Sequence, residues 1–165
     1  MPSNTLEALV RETAGAFGAR GWLLAAAESC TGGLISSSLT DLAGSSAWFL
    51  GGVVAYANSA KTRFLGVPEA TLAAHGAVSR EVVLAMASGA RERFGAHAAL
   101  AVSGVAGPDG GTPEKPVGTV WMAWDVSGTL GGRVFHFSGT RLEIKRLTAE
   151  AALSGLLERL GDGGR

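Results

Sequence analysis

Three short apolar runs constrain this chain more than any other feature: WLLAAA from Trp22, LGGVVAYA from Leu50 and HAALAVSG from His97. Each is flanked by segments with helical spacing, the arrangement expected when strands are buried on both faces by helices. A buried helical turn would give WLLAAA the same pattern, so the neighbours decide. Leu6, Leu9, Val10 and Phe17 recur at helical spacing, with Asn4 and Thr5 as possible caps and Gly21 as the stop. Thr31 to Asp41 reads as a helix ending near Gly44. NSAKTRFLG reads as another, with Asn58 as N-cap and Gly66 as stop. A short helix from Pro68 and a longer one after Ser79 follow. VGTVWMAWD and GRVFHFS, separated by VSGTLG, predict a hairpin. Thr140 with Glu143 forms a capping box that opens a long helix through LEIKRLTAEAALSGLLERL, and the closing GDGGR is expected to fray. The expected fold class is α/β, a single three-layer α/β/α domain on a mixed sheet, with no internal repeat, linker or second domain in residues 1–165.

Composition narrows the function classes. At 165 residues the chain is long enough to bury a core without disulfides or metals, and 47% apolar residues is ordinary for a globular protein. Fourteen basic residues balance 14 acidic ones without runs of one sign, which disfavours nucleic acid and membrane surfaces as partners. A single cysteine forms no internal disulfide, and His75, His97 and His136 lack metal-ligand spacing. No apolar stretch reaches the ~18 residues of a membrane span, and the N-terminal residues do not resemble a signal peptide. A cytoplasmic, metal-free protein is expected.

Three segments fall where an α/β sheet places its ligands, at strand ends. AESCTGG, Ala27 to Gly33, sets Ser29, Cys30 and Thr31 ahead of Gly32 and Gly33. Free N–H groups at the following helix start can hold an oxyanion, while a plain capped turn uses the same residue types. YANSAK puts Lys61 in the first turn of a helix, where the dipole disfavours a cation and favours the neutral amine, a base. A solvent-pointing lysine is the competing reading. Tyr56 lies at the same strand end. The third segment begins at Ser103 and Gly104, and six of the twelve residues from Val105 to Pro116 are Gly or Pro. Gly107, Gly110 and Gly111 let backbone amides wrap a ligand, although neither a Walker A loop nor a dinucleotide fingerprint is present. Arg141 directly follows the Thr140 cap, a second cation at a helix start; a bound phosphate would resolve that conflict, as would a side chain turned to solvent. Cys30 reads as a small buried hydrophobe.

Taken together, AESCTGG, AGSSAWFLGGVVAYANSAK, HGAVS and SGVAGPDGGTPEKPVGTVW resemble the C-terminal domain of the CinA (competence/damage-inducible) family, in its stand-alone form. The likeness runs from about Leu6 to Leu160. Two-domain members carry a further N-terminal domain for which this chain has no room. The resemblance implies hydrolysis of the carboxamide of nicotinamide mononucleotide to nicotinic acid mononucleotide and ammonia. It implies Ser29 as nucleophile, Lys61 as base and Tyr56 beside them. An oxyanion site near Thr31, Gly32 and Gly33 would complete the catalytic set. Ser103, Gly104 and the glycine loop would hold the ring or ribose, and Arg141, with Lys145 one turn on, the phosphate. No cofactor is implied, and a homo-oligomer, dimer or higher, is. Two rivals stand against this reading: a hydrolase using Cys30, and a non-catalytic nucleotide-binding or partner-binding domain.

Overall fold

A computed structural model describes residues 5–162. In chain order the elements are α1 (Thr5–Arg20), β1 (Leu24–Glu28), α2 (Leu34–Thr40), a 3₁₀ turn (Ser45–Ala47), β2 (Phe49–Val54), α3 (Asn58–Leu65), α4 (Glu69–His75), α5 (Arg80–Phe94), β3 (Ala98–Gly104), β4 (Thr119–Val126), β5 (Thr129–His136) and α6 (Arg141–Asp162). The strands form one mixed sheet in the order β2-β1-β3-β4-β5. β1 is parallel to β2 and β3, while β3–β4 and β4–β5 are antiparallel. The expected α/β architecture is therefore present, with helices on both faces.

Side-chain alternation along the strands assigns the two layers. Leu24, Ala26, Leu100, Val102, Met122 and Trp124 point into a core with Phe17 of α1, Ile35 of α2 and Leu153 of α6. Ala25, Ala27, Ala99, Ala101 and Ala123 face the other way, onto Val83 and Met86 of α5 and Leu65 of α3. Small side chains on this second face let α5 lie close to the sheet. All of β1 is buried, which explains its continuously apolar sequence.

Several boundaries differ from the sequence reading. α2 begins at Leu34 rather than Thr31, because Gly32 and Gly33 adopt φ of 60° and 104° and interrupt any helix there. The hairpin is tighter than VSGTLG suggests: only Ser127 and Gly128 separate the strands, both at positive φ, and Gly128 N–H donates to Asp125 Oδ1. α6 extends two residues past Leu160, and Gly163 to Arg165 lie outside the described residues. The capping box at its start is formed: Thr140 N–H donates to Glu143 Oε2 at 2.6 Å, and Glu143 N–H to Thr140 Oγ1 at 3.3 Å. No described helix is long and apolar enough to cross a membrane.

The chain leaves β1 toward β2 on one side and later returns to β3 on the other. Connections that diverge this way open a crevice at the carboxyl ends of the strands. β1, β2 and β3 all end there.

Candidate active site

Ser29 follows β1 directly and is fixed from both sides. Its N–H donates to Val102 O of β3 at 3.1 Å, and its carbonyl accepts from Gly32 N–H at 3.1 Å, closing the turn. The residue before it, Glu28, is fully buried on the face covered by α2. Glu28 Oε1 accepts from Thr31 Oγ1 (2.7 Å) and Ile35 N–H (2.8 Å); Oε2 accepts from Ser36 N–H (2.9 Å) and Ser36 Oγ (2.7 Å). Gly33, the N-cap position of α2, has no side chain to cap with, and the Glu28 carboxylate reaches across to do so. The turn that presents Ser29 is thus held by a carboxylate pinned to a helix start.

Lys61 arrives from the opposite layer. Ala57, in extended conformation, precedes α3, and Lys61 N–H donates to its carbonyl. Asn58 is therefore the first helical residue rather than the cap, and Lys61 the fourth rather than the third. It remains in the first turn, as expected. Its side chain is 1% exposed, which overturns the solvent-pointing alternative. Nζ lies 3.0 Å from Ser29 Oγ and 3.1 Å from Tyr56 O. Among the described residues no carboxylate lies within ion-pair distance of it. Burial pushes the Lys61 pKa below the ordinary lysine value, opposed weakly by the neighbouring Cys30. The same burial pushes the Cys30 thiol up to about 12, with Glu28 adding to the rise.

Ser29, Lys61 and Tyr56 open onto a cleft of about 260 Å³. Ser103 and Gly104 at the end of β3, Gly107 and Gly110 of the glycine loop, and Arg141 at the start of α6 complete its expected lining. Ser103 Oγ donates to Ala77 O at 2.8 Å. Arg141 spans the cleft, donating from Nη1 to Gly107 O (2.6 Å) and from Nη2 to Tyr56 Oη (3.2 Å). Tyr56 keeps its ring largely exposed, contrary to the usual burial of a tyrosine ring. Another groove, between α1 and α2 along Leu6, Val10, Ser38 and Leu42, contains none of these groups.

Four residues expected at the site lie outside the cleft lining: Thr31, Gly32, Gly33 and Gly111. Thr31 is buried with its hydroxyl on Glu28. Gly32 uses its N–H in the turn, and a Cβ there would meet Lys145 Nζ at 3.7 Å. Gly33 starts α2. Gly111 packs against the Val117 backbone, where a Cβ would come within 2.8 Å of its nitrogen. Lys145, near the Gly32 turn, does not line the cleft with Arg141. Conversely, Ala77, Val78, Asn58 and Asp109 line it and were not singled out as binding residues. Asp109 was visible inside the glycine loop, whereas Ala77 and Val78 carry no chemical signal at all.

A family model for the CinA C-terminal domain matches residues 6–160. The chain is 57% identical over 136 residues to a protein of Pseudomonas putida named nicotinamide-nucleotide amidohydrolase PncC, covering 80% of this chain and 82% of that one. It is 55% identical over 133 residues to a CinA-like protein of Gemmatimonas aurantiaca, covering 81% of this chain but 31% of the relative. The chain thus spans about a third of the length of such CinA-like relatives. Among solved structures, the competence damage-inducible protein A of Klebsiella pneumoniae superimposes with a TM-score of 0.93 at 41% identity, covering 96% and 98% of the two chains. The competence/damage-inducible protein of Agrobacterium tumefaciens gives 0.92 at 42% identity, covering 98% of each. Matched along nearly its whole length, the chain belongs to the CinA C-terminal domain family.

Proposed function

We propose that this protein hydrolyses the carboxamide of nicotinamide mononucleotide, giving nicotinic acid mononucleotide and ammonia through an acyl-enzyme on Ser29. The observation that carries the reading is the 3.0 Å approach of a buried Lys61 Nζ to Ser29 Oγ, with the lysine pKa lowered by burial. A buried lysine with no carboxylate partner favours its neutral form, and a neutral amine in contact with a hydroxyl is a general base. The name of the Pseudomonas putida relative, nicotinamide-nucleotide amidohydrolase, supports the same substrate class.

In this mechanism neutral Lys61 takes the Ser29 proton as Oγ attacks the amide carbon. The Cys30 N–H, on the residue after the nucleophile, belongs to the cleft and, among the described residues, donates to no backbone carbonyl; it serves the tetrahedral oxyanion. Lys61 returns the proton to the departing ammonia, and a water activated by the same amine then cleaves the ester. Tyr56 gives its carbonyl to Lys61 and its hydroxyl to Arg141, so it holds base and cation in one register. Arg141 receives the phosphate, and Ser103 with the glycine loop receives the ring and ribose. The enzyme works without a metal or organic cofactor, as a cytoplasmic homo-oligomer. Cys30 is a poor rival nucleophile because burial pushes its thiol up to about 12, leaving little thiolate at neutral pH.

Release of ammonia and nicotinic acid mononucleotide by the purified protein tests this reading. Ser29→Ala is expected to lower kcat by at least about 10³-fold without loss of fold. Binding without turnover by folded wild-type protein would instead favour a non-catalytic nucleotide-binding domain.

A further inference from the structure

The cleft contains two opposite charges that do not neutralise each other. Arg141 directs its guanidinium to the Gly107 carbonyl and the Tyr56 hydroxyl. Asp109, two residues beyond Gly107 in the same loop, lines the same cleft and is exposed. Among the described residues, no side chain or backbone group donates to its carboxylate. An arginine that reaches the loop carrying an aspartate ordinarily closes onto the carboxylate, the stronger, charge-assisted acceptor. Here it takes a carbonyl instead, and the two charges remain apart and open to the cleft.

A ligand that satisfies both must bring a cation and an anion of its own. The mononucleotide does: its N-ribosyl pyridinium ring is positive and its phosphate negative. We propose that Asp109 is a specificity-determining residue that selects the charged pyridinium ring over a neutral ring bearing the same carboxamide, while Arg141 takes the anionic end. This rests on the amidase reading above, and it narrows the substrate class to zwitterionic N-ribosyl pyridinium carboxamides. The effect is modest because an exposed carboxylate is screened by solvent: one exposed charge pair changes binding by about two- to fivefold.

The test compares nicotinamide mononucleotide with its reduced dihydro form, which keeps carboxamide, ribose and phosphate but has an uncharged ring. Calorimetric binding is measured in Ser29→Ala protein, so that the substrate survives, with and without Asp109→Asn. Asp109→Asn is expected to weaken the oxidised form about two- to fivefold and leave the reduced form unchanged, and Asp109→Glu to retain the preference. High salt should shrink the preference toward the Asp109→Asn value. If Asp109→Asn weakens both forms equally, as a ribose contact would, or weakens neither, the proposal is overturned and the amidase reading stands. Failure of the wild-type enzyme to release ammonia overturns the amidase reading itself, and this proposal with it.

Discussion

Two helices begin at the same end of the sheet, and their first turns receive opposite charges. At the start of α2 the buried Glu28 carboxylate accepts four hydrogen bonds, two of them from the helix's own N–H groups. Charge and dipole agree there, and every donor has an acceptor. At the start of α3 the equally buried Lys61 meets the wrong end of a dipole, and among the described residues its ammonium has a hydroxyl and a carbonyl but no carboxylate within reach. The first arrangement is what stability selects. The second opposes stability, and the group it destabilises is the protonated amine that a base must not be. Under the proposed mechanism, the contrast separates a residue that positions the Ser29 turn from one that would take its proton.

Lys61→Met breaks the comparison most sharply. Turnover should fall by about 10²- to 10⁴-fold, the usual contribution of a general base, while the melting temperature rises by at least about 2 °C because a buried amine no longer has to give up its proton on folding. Paired activity and melting measurements check both signs. The pH dependence follows from the same lowered pKa. Activity should rise with pH through the lowered folded-state value. Between that value and the unfolded value near ~10.4 the unfolded chain binds more protons, so stability also rises with pH. Lys61→Met should flatten the stability slope across that window.

Glu28→Gln should act the other way. An amide NH₂ would face N–H donors that now meet a carboxylate oxygen, costing about 1–3 kcal/mol of stability, readable in denaturant midpoints. The smallest effect belongs to Cys30→Ser, with turnover kept within about twofold. Iodoacetamide should likewise leave the wild-type enzyme active, because the thiol is pushed up to about 12.

The alternation of apolar runs and helical segments was enough to read every strand and helix in approximate place, since burial on two faces leaves a periodic record along the chain. Local chemistry also fixed the Thr140 capping box, whose partners lie three residues apart. Local chemistry misplaced the cap of α3, where Asn58 looked better than Ala57, and the start of α2, where the glycine φ values decide. Thr31 is named among the site residues for the N–H groups of its turn, and only the fold shows that its hydroxyl is held by Glu28.

What the sequence determined by itself was the α/β layering and the residue types available at each strand end. What only the tertiary structure decided was which of them meet. Ser29 and Lys61 are 32 residues apart, one at the end of a strand and the other on a helix packed against the sheet, so their 3.0 Å contact exists only once β1 and β2 pair. The burial that lowers the Lys61 pKa, and the cleft that joins Arg141 to Asp109, are likewise products of packing between distant segments, which no local pattern encodes.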